Sequence, residues 1–432
     1  MNNQISVSQQ PETNRGWTVT FAGLGINLAL GILYAWSMLK GAIEKEFGWK
    51  GDQLNDPFAL CCLVFAFTMI LAGRCQDKFG PRITASIGGL LVGAGFVLCS
   101  TTSSYGLWLL GLGLLAGIGI GFGYSSATPP ALKWFPPERT GLIAGLVVAG
   151  FGLAPVYLAP VSQYLLGHYQ IQKSMLILGI TFVAVVCGLA QLLVNPPPGY
   201  VAGPKPVPGA AEKALAVSAA PGEIIRQPTF WLLWVIYFIG AGAGLMVIGS
   251  VSGMARKSMG ELAFVAVAVL ALGNASGRVL AGYLSDKIGR RWTLCSVLLI
   301  QALLMFIAIP VTASTDTTAV VIVLVAALIG ANYGANLALF PSFAKDLWGL
   351  KNFGMNYGVL FTAWGVGGLV LPRLQQTLTA GSGGSYTLSF VTAGVLLLAG
   401  TALTFLIKPH QPQSAVQGRA TPPLATQLGI RT

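Results

Sequence analysis

The sequence predicts an all-α integral membrane protein whose twelve transmembrane helices form two six-helix repeats. Three observations predict this fold class: the composition, the number of long apolar runs, and a loop motif that occurs twice. Of the 432 residues, 54% are hydrophobic and only 9% are charged, whereas soluble domains carry about 25% charged residues. Such a composition favours a chain that lies mostly inside a lipid bilayer.

Apolar runs of about 20 residues, the length that crosses a bilayer, occur twelve times. We predict spans at 17–39, 57–73, 83–101, 106–128, 141–162, 174–194, 229–250, 261–284, 292–313, 319–340, 356–374 and 386–407. One long polar break is rich in Pro, Gly and Ala, which predicts a linker between two halves. We therefore expect five regions: an N-terminal tail (1–16), a first half (17–194), a linker (195–227), a second half (228–407) and a C-terminal tail (408–432).

Lys and Arg are distributed unevenly between the two sides of these spans. With both termini inside, the inner segments hold 17 of the 25 Lys and Arg and the outer segments hold seven. By the positive-inside rule this predicts cytoplasmic N- and C-termini and a cytoplasmic linker, in the plasma (inner) membrane. The same distribution explains the net charge of +12 without a nucleic-acid partner. The polar residues 1–14 also lead us to expect no cleavable signal peptide.

The two predicted halves carry the same loop motif. GRCQDKFGPR (73–82) follows the second span, and GYLSDKIGRR (282–291) follows the eighth span, 209 residues later. Tyr124 and Tyr333, in the fourth span of each half, have the same offset. Two matching halves joined by a linker predict a secondary transporter built from parallel repeats.

The repeated G-x-x-x-D-K-x-G-x-R loop resembles the signature of the major facilitator superfamily, and the resemblance covers all twelve spans. The resemblance implies transport by alternating access. A carboxylate in this loop can receive the positive N-terminus of a neighbouring helix, while the basic residues hold the loop at the cytoplasmic face. We therefore predict a conformational latch, with simple topology anchors as the alternative, formed by Asp77, Lys78, Arg82, Asp286, Lys287, Arg290 and Arg291.

A narrower resemblance lies in the fifth and eleventh spans. KWFPPER (133–139), followed by GLIAG (141–145) and AGFG (149–152), is similar to the fifth-span signature of monocarboxylate transporters and bacterial oxalate:formate antiporters. Asn356-Tyr357-Gly358 resembles the latter group. In that branch an arginine of helix eight binds the substrate carboxylate, and Arg278 is the matching residue. The resemblance implies a prokaryotic monocarboxylate transporter of the lactate type.

Arg278 is the only cation placed well within a predicted span. A charge at the centre of a membrane helix costs roughly 2.5–3.5 kcal/mol, so it persists mainly where it has a partner. Its planar donors match a carboxylate, and Asn274 lies one turn earlier on the same helix face. We predict that both residues bind substrate. The alternative is a structural arginine bonded to helix-end carbonyls.

Three departures from the relatives restrict the substrate. The lysine on helix eleven of oxalate:formate antiporters aligns with Trp364, and the aspartate and lysine of animal monocarboxylate transporters align with Asn274 and Met38. One cation without a second ionisable partner predicts a single carboxylate. If transport is proton-coupled, the carboxylate bound to Arg278 becomes the expected proton acceptor, whereas anion exchange needs no proton.

The resemblance also implies an aromatic pocket. Tyr34, Tyr124, Tyr333 and Phe361 align with pocket aromatics of the oxalate-transporting relatives, and we expect Leu337 to enclose an apolar substrate tail. The glycine-rich runs 117–123 and 240–244 lie inside spans and lack a Walker lysine, so they indicate helix packing rather than nucleotide binding. No His/Cys/Asp cluster suggests a metal site, and we expect no cofactor.

The combined prediction is a secondary active transporter, not an enzyme, that moves small monocarboxylates such as lactate or pyruvate with proton symport. It would work by alternating access, as a monomer in the bilayer. The first alternative is an exchanger of organic anions, including formate or dicarboxylates. A membrane enzyme would need a buried Asp, Glu or His, whereas the acidic residues and both histidines fall in loops, tails or span ends. A nutrient sensor is disfavoured because the linker and tails are short.

Overall fold

The protein is described here by a computed structural model that covers residues 14–50, 52–197, 200, 202, 219–248, 263–313 and 319–407. Throughout these ranges the regular secondary structure is helical. Most of the predicted N-terminal tail and linker and the whole C-terminal tail lie outside the described residues, as do the predicted outer residues Arg256 and Lys257.

Twelve helices in the described ranges are long and apolar enough to cross a membrane, which confirms the predicted fold class. They are α1 (Gly16–Tyr34), α2 (Gln53–Phe79), α3 (Pro81–Ser100), α4 (Tyr105–Lys133), α5 (Pro137–His168), α6 (Ile171–Ala190), α7 (Pro228–Ile248), α8 (Ala266–Ile288), α9 (Arg290–Thr312), α10 (Val320–Trp348), α11 (Phe353–Gly381) and α12 (Thr387–Thr404).

Both repeated loops are continuations of helices rather than irregular connections. The apolar pattern ends the second and eighth spans near residues 73 and 284, but α2 and α8 continue to Phe79 and Ile288. Each helix stops at the glycine of the motif, because Gly80 and Gly289 have φ values of +85° and +91° that a residue with a Cβ rarely adopts. The motif aspartates therefore sit on rigid helix ends.

The first span changes its helical form at its C-terminal end. A tight 3-10 segment, Gly31–Ala35, follows the regular part of α1, and a further helix, Trp36–Phe47, continues the chain. A 3-10 stretch inside a longer helix often marks a hinge. Tyr34 lies in this segment, so its side chain is set by the break in the helix.

The two halves meet along two helix pairs that the repeat relates, α2 with α11 and α5 with α8. Glycines let these backbones touch near the end of the bundle that carries both motif aspartates, which we call the motif end. A Cβ on Gly73 would lie 2.1 Å from the carbonyl oxygen of Gly354, and a Cβ on Gly282 would lie 2.1 Å from that of Gly141. Any larger residue would force the halves apart at these points.

Candidate functional site

Arg278 is fully buried in α8 and bonds to protein groups on two helices. Its Nε donates to Oδ1 of Asn274, one turn earlier, at 3.0 Å. One terminal nitrogen, Nη1, donates to the main-chain oxygen of Val148 on α5. The other, Nη2, is buried without a hydrogen-bond partner. The alternative role of Arg278 was that of a structural arginine bonded to main-chain carbonyls. The carbonyl of Val148 accepts a hydrogen bond from Nη1 alone, so Nη2 remains available to a ligand.

The glycines of α5 make room for this arrangement. A Cβ on Gly152 would lie 3.2 Å from both Nε of Arg278 and Oδ1 of Asn274. A Cβ on Gly145 would lie 2.4 Å from the main-chain oxygen of Arg278. The glycines of the fifth-span signature thus bring α5 against α8 beside the guanidinium.

Arg278 has no carboxylate partner among the described residues. The ion pairs found there join Arg290 to Asp286 and to Asp346 at the motif end. The buried guanidinium is therefore held by neutral oxygen atoms alone. Because a buried charge is stabilised best by an opposite charge that bonds to it, the site favours an incoming anion.

A chain of hydrogen bonds runs from α11 to α1 through α10. Nε1 of Trp364 donates to the hydroxyl of Tyr333 at 2.9 Å, and the hydroxyl oxygens of Tyr333 and Tyr34 are 2.7 Å apart. An indole nitrogen can only donate. In the bond between the two tyrosines either hydroxyl can donate; when Tyr333 donates, the Tyr34 proton is free for another acceptor. Arg278 lies close enough to Tyr34 for its charge to act on that hydroxyl.

Phe361 occupies the centre of a cluster of aromatic rings between the halves. Its ring centroid lies 5.0 Å from that of Trp364, 5.1 Å from Phe65 and 5.5 Å from Tyr124. The ring of Phe361 is inclined by 22° to Trp364, 50° to Phe65 and 40° to Tyr124, and offset contacts between aromatic rings are favourable beyond the area that they bury. The rings form an apolar wall beside the single cation.

The predicted pocket residues lie in one region of the structure. Tyr34, Tyr124, Tyr333 and Phe361 belong to the aromatic contacts around Arg278, and Asn274 bonds to it directly. Leu337 is buried in α10, one turn beyond Tyr333. Sequence reasoning missed four further aromatic residues of this region, because a lone ring in an apolar span gives no sign of the direction it faces: Phe65, Phe151, Tyr237 and Tyr357.

At the motif end, Asp286 caps the regular α-helical part of α5, which begins at Thr140 after a 3-10 turn over Pro137–Arg139. Its carboxylate accepts hydrogen bonds from the main-chain nitrogens of Gly141 at 2.8 Å and Leu142 at 2.9 Å. Arg290 donates to the same carboxylate at 2.6 Å and to Asp346 at 2.9 Å. A carboxylate of the second half is thus hydrogen-bonded to the N-terminal end of a helix of the first half.

Asp77 makes the equivalent contact in the opposite direction. Its carboxylate accepts hydrogen bonds from the main-chain nitrogens of Gly354 at 3.1 Å and Met355 at 3.0 Å, in the first turn of α11. Negative charge is stabilising at the N-terminus of a helix because the helix dipole is positive there. Both contacts tie one half to the other, so the motif end is closed in this structure.

The other basic residues of the motif bond within their own halves. Arg82 and Arg291 donate to main-chain oxygens at 3.2 and 3.0 Å. The ammonium groups of Lys78 and Lys287 lie over neighbouring rings of their own helices, 5.2 and 5.6 Å from the centroids. Of the predicted latch residues, the two aspartates cross between the halves, and Arg290 holds one of them.

Comparison with known proteins agrees with this architecture. The sequence matches the Major Facilitator Superfamily over residues 18–277 and, in a second match, over residues 246–430. The chain belongs to the Major Facilitator Superfamily. This family membership confirms the resemblance stated from the repeated loop.

The relatives of this major facilitator include proteins of the predicted branch. The chain is 30% identical to the uncharacterised MFS-type transporter YhjX of Escherichia coli, over 82% of this chain and 86% of that protein. It is 28% identical to the oxalate:formate antiporter of Oxalobacter formigenes (91% and 92% covered) and 26% identical to human monocarboxylate transporter 11 (90% and 82% covered). The crystal structure of the MFS transporter FucP in the outward conformation has the same fold, with a TM-score of 0.66, 15% identity and coverage of 90% and 98%.

Proposed function

We propose that this major facilitator moves small monocarboxylates of lactate or pyruvate size across the plasma membrane by alternating access. The observation that carries the proposal is the free Nη2 of Arg278, a buried cationic donor without a carboxylate partner among the described residues. A substrate carboxylate supplies both the acceptor and the negative charge that this group lacks. The names of the oxalate:formate antiporter and monocarboxylate transporter 11 support the same substrate class.

A single negative charge suits the site better than two. The position that carries a second cation in oxalate:formate antiporters is Trp364, whose Nε1 is already bonded to Tyr333. Burying a second, unpaired carboxylate would cost several kcal/mol. In this proposal the hydroxyl of Tyr34 donates to the second oxygen of a carboxylate held at Arg278, and the ring of Phe361 covers a short apolar tail.

We further propose that the motif end faces the cytoplasm and that the halves 17–194 and 228–407 move against each other, with the linker 195–227 and both tails inside. The excess of Lys and Arg in the segments on that side supports this orientation. Asp77 and Asp286 would then hold the cytoplasmic side closed, and releasing both contacts would open it.

Two coupling modes remain candidates. In symport, the proton travels on the substrate carboxylate at Arg278, because the described residues near the guanidinium include no acid or histidine. In exchange, one anion leaves as another enters. The absence of an acid or histidine near Arg278 among the described residues also favours exchange, because exchange needs no proton carrier. Uptake of labelled lactate into vesicles that contain no counter-substrate, driven by an inward proton gradient, would establish symport. Uptake that requires internal anion would establish exchange.

The deciding experiment measures uptake of labelled lactate by purified protein in proteoliposomes. Arg278→Ala should abolish saturable uptake, and Arg278→Lys should lower it strongly because an ammonium lacks the planar donor pair. The matched control is Arg373→Ala, which removes an exposed cation near the far end of α11. Near-normal saturable uptake by a folded Arg278→Ala protein would refute the assignment.

A further inference from the structure

A buried amide lies in the contact between α1 and α5. Asn27 on α1 is fully buried, and its Nδ2 donates to the main-chain oxygen of Val147 on α5 at 2.9 Å. The next carbonyl of α5, that of Val148, accepts the hydrogen bond from Nη1 of Arg278. Side chains from α1 and α8 therefore bond to successive carbonyls in one turn of α5.

Glycines let α5 pack tightly against both of these helices. On the side of α1, a Cβ on Gly150 would lie 2.1 Å from the main-chain oxygen of Leu24. On the side of α8, a Cβ on Gly145 would lie 2.4 Å from the main-chain oxygen of Arg278. Because the backbone of α5 touches both helices, a shift of α5 against α1 also changes its position against Arg278.

Packing alone does not explain an asparagine at position 27. The bond to Val147 satisfies Nδ2, but Oδ1 of Asn27 is buried without a hydrogen-bond partner among the described residues. A buried polar group that is only partly paired costs free energy, and an apolar side chain would avoid that cost. The bond to Val147 is therefore what distinguishes Asn27 from an apolar residue at this position.

The carbonyl of Val148 helps to set the direction of the guanidinium. This group is planar, and its donors are fixed relative to one another. The bonds of Nη1 to Val148 and of Nε to Asn274 therefore determine where Nη2 points. Asn274 lies on the same helix as Arg278, whereas Val148 belongs to the opposite half. The placement of α5 thus affects how well Nη2 meets a ligand.

We propose that Asn27 is a positioning residue for Arg278. Its bond to Val147 holds α5 where the neighbouring carbonyl of Val148 orients the guanidinium toward a carboxylate. This assignment rests on the proposed function, since it requires a substrate carboxylate at Nη2. It adds to the site a residue of α1 that acts on the substrate through the backbone of α5.

The test measures KM and kcat for uptake of labelled lactate by proteoliposomes. Asn27→Ala and Asn27→Leu both remove the donor but change the side-chain volume in opposite directions, so an effect that they share reflects the lost bond. Their KM should rise about fivefold, as for the loss of one hydrogen bond, while kcat stays within about twofold of wild type. A rise of KM alone indicates weaker binding, and KM does not depend on the amount of folded protein.

Tyr157→Phe is the matched control. The hydroxyl of Tyr157 on α5 donates to the main-chain oxygen of Leu28 on α1 at 3.1 Å. This bond also joins a side chain to a carbonyl between α1 and α5, but its carbonyl belongs to α1 and not to the turn of α5 that bonds to Arg278. The KM of Tyr157→Phe should therefore match wild type.

A KM within twofold of wild type in either folded Asn27 variant would overturn the assignment. A rise of KM in Tyr157→Phe equal to that in the Asn27 variants would also overturn it, because the effect would then come from the general packing of α1 on α5. Failure of the proposed function has a different signature: wild-type protein would show no saturable uptake of lactate, or Arg278→Ala would retain it.

Discussion

Asp286→Asn and Asp77→Asn should each open the motif end, by a similar factor. Each aspartate accepts two main-chain hydrogen bonds from the opposite half, at 2.8 and 2.9 Å for Asp286 and at 3.1 and 3.0 Å for Asp77. The two bonds go to the two different oxygens of each carboxylate. In asparagine the amide oxygen keeps one bond as a neutral one, at a cost of about 1 kcal/mol, and the amide nitrogen cannot accept the other, whose loss costs about 2 kcal/mol, hence about 3 kcal/mol at either site.

Asp286 has an additional partner in Arg290, 2.6 Å away, with side-chain exposures of 11% and 4% for the arginine and the aspartate. Arg290 and Asp286 belong to the same half, so this ion pair persists when the halves separate and does not change the free-energy difference between the closed and open states. The ratio of open to closed protein should therefore rise about 140-fold in either variant, at about 1.4 kcal/mol per tenfold change.

A cysteine at position 76 can report this opening. Gln76 is 2% exposed at the motif end of α2, and its amide has no partner, so Gln76→Cys removes no described bond. The six native cysteines are first replaced, and the rate of maleimide labelling is then measured in each aspartate variant. Asp56→Asn is the control, because its carboxylate accepts a hydrogen bond from Tyr105 at the opposite end of the bundle. A labelling rate in either aspartate variant equal to that of the parent would refute the latch, and tenfold different rates in the two variants would refute the equal energies.

Three further predictions concern the interior. Tyr34→Phe removes the hydroxyl that faces Arg278 and breaks its bond to Tyr333; lactate affinity, measured by competition, should fall about fivefold to tenfold, and unchanged affinity would exclude Tyr34 from binding. Gly282→Ala places a Cβ against the backbone of Gly141 and should destabilise the closed state by about 1–3 kcal/mol. Its melting temperature should drop by several degrees, whereas Gly188→Ala, which meets nothing within 4 Å, should change little; equal melting temperatures would contradict the close contact. Trp364→Lys supplies a second cation and should let oxalate compete with labelled lactate, with Trp364→Phe as the control for loss of the indole bond. Competition by oxalate that is equal in the lysine and phenylalanine variants would contradict the charge argument.

The sequence contains the information for the fold because hydropathy and charge act locally. Twelve apolar runs of spanning length predicted twelve helices, and the structure has them. The two predicted spans next to the motifs end earlier than the helices themselves. The helices α2 and α8 continue through polar residues beyond the apolar stretch, until Gly80 and Gly289 end them. A helix end set by backbone conformation is invisible to a hydropathy pattern.

The candidate site was only partly predictable. Arg278 stood out because a buried cation is rare, and Asn274 followed from the helical spacing. The carbonyl of Val148 could not be foreseen as a partner, because it depends on how closely α5 approaches α8 at Gly152. Likewise, Tyr237 and Tyr357 look like any tyrosine of a membrane helix until the rotation of α7 and α11 is known.

By itself the sequence determined the number of spans, the internal repeat and the presence of one intramembrane arginine, because each follows from residue type and spacing along the chain. Tertiary structure decided which donors stay free. Neutral oxygens of two helices satisfy Nε and Nη1 of Arg278 and leave Nη2 unpaired. Whether a buried donor is paired depends on the distances and angles between helices, and the residue pattern of a single helix does not specify them.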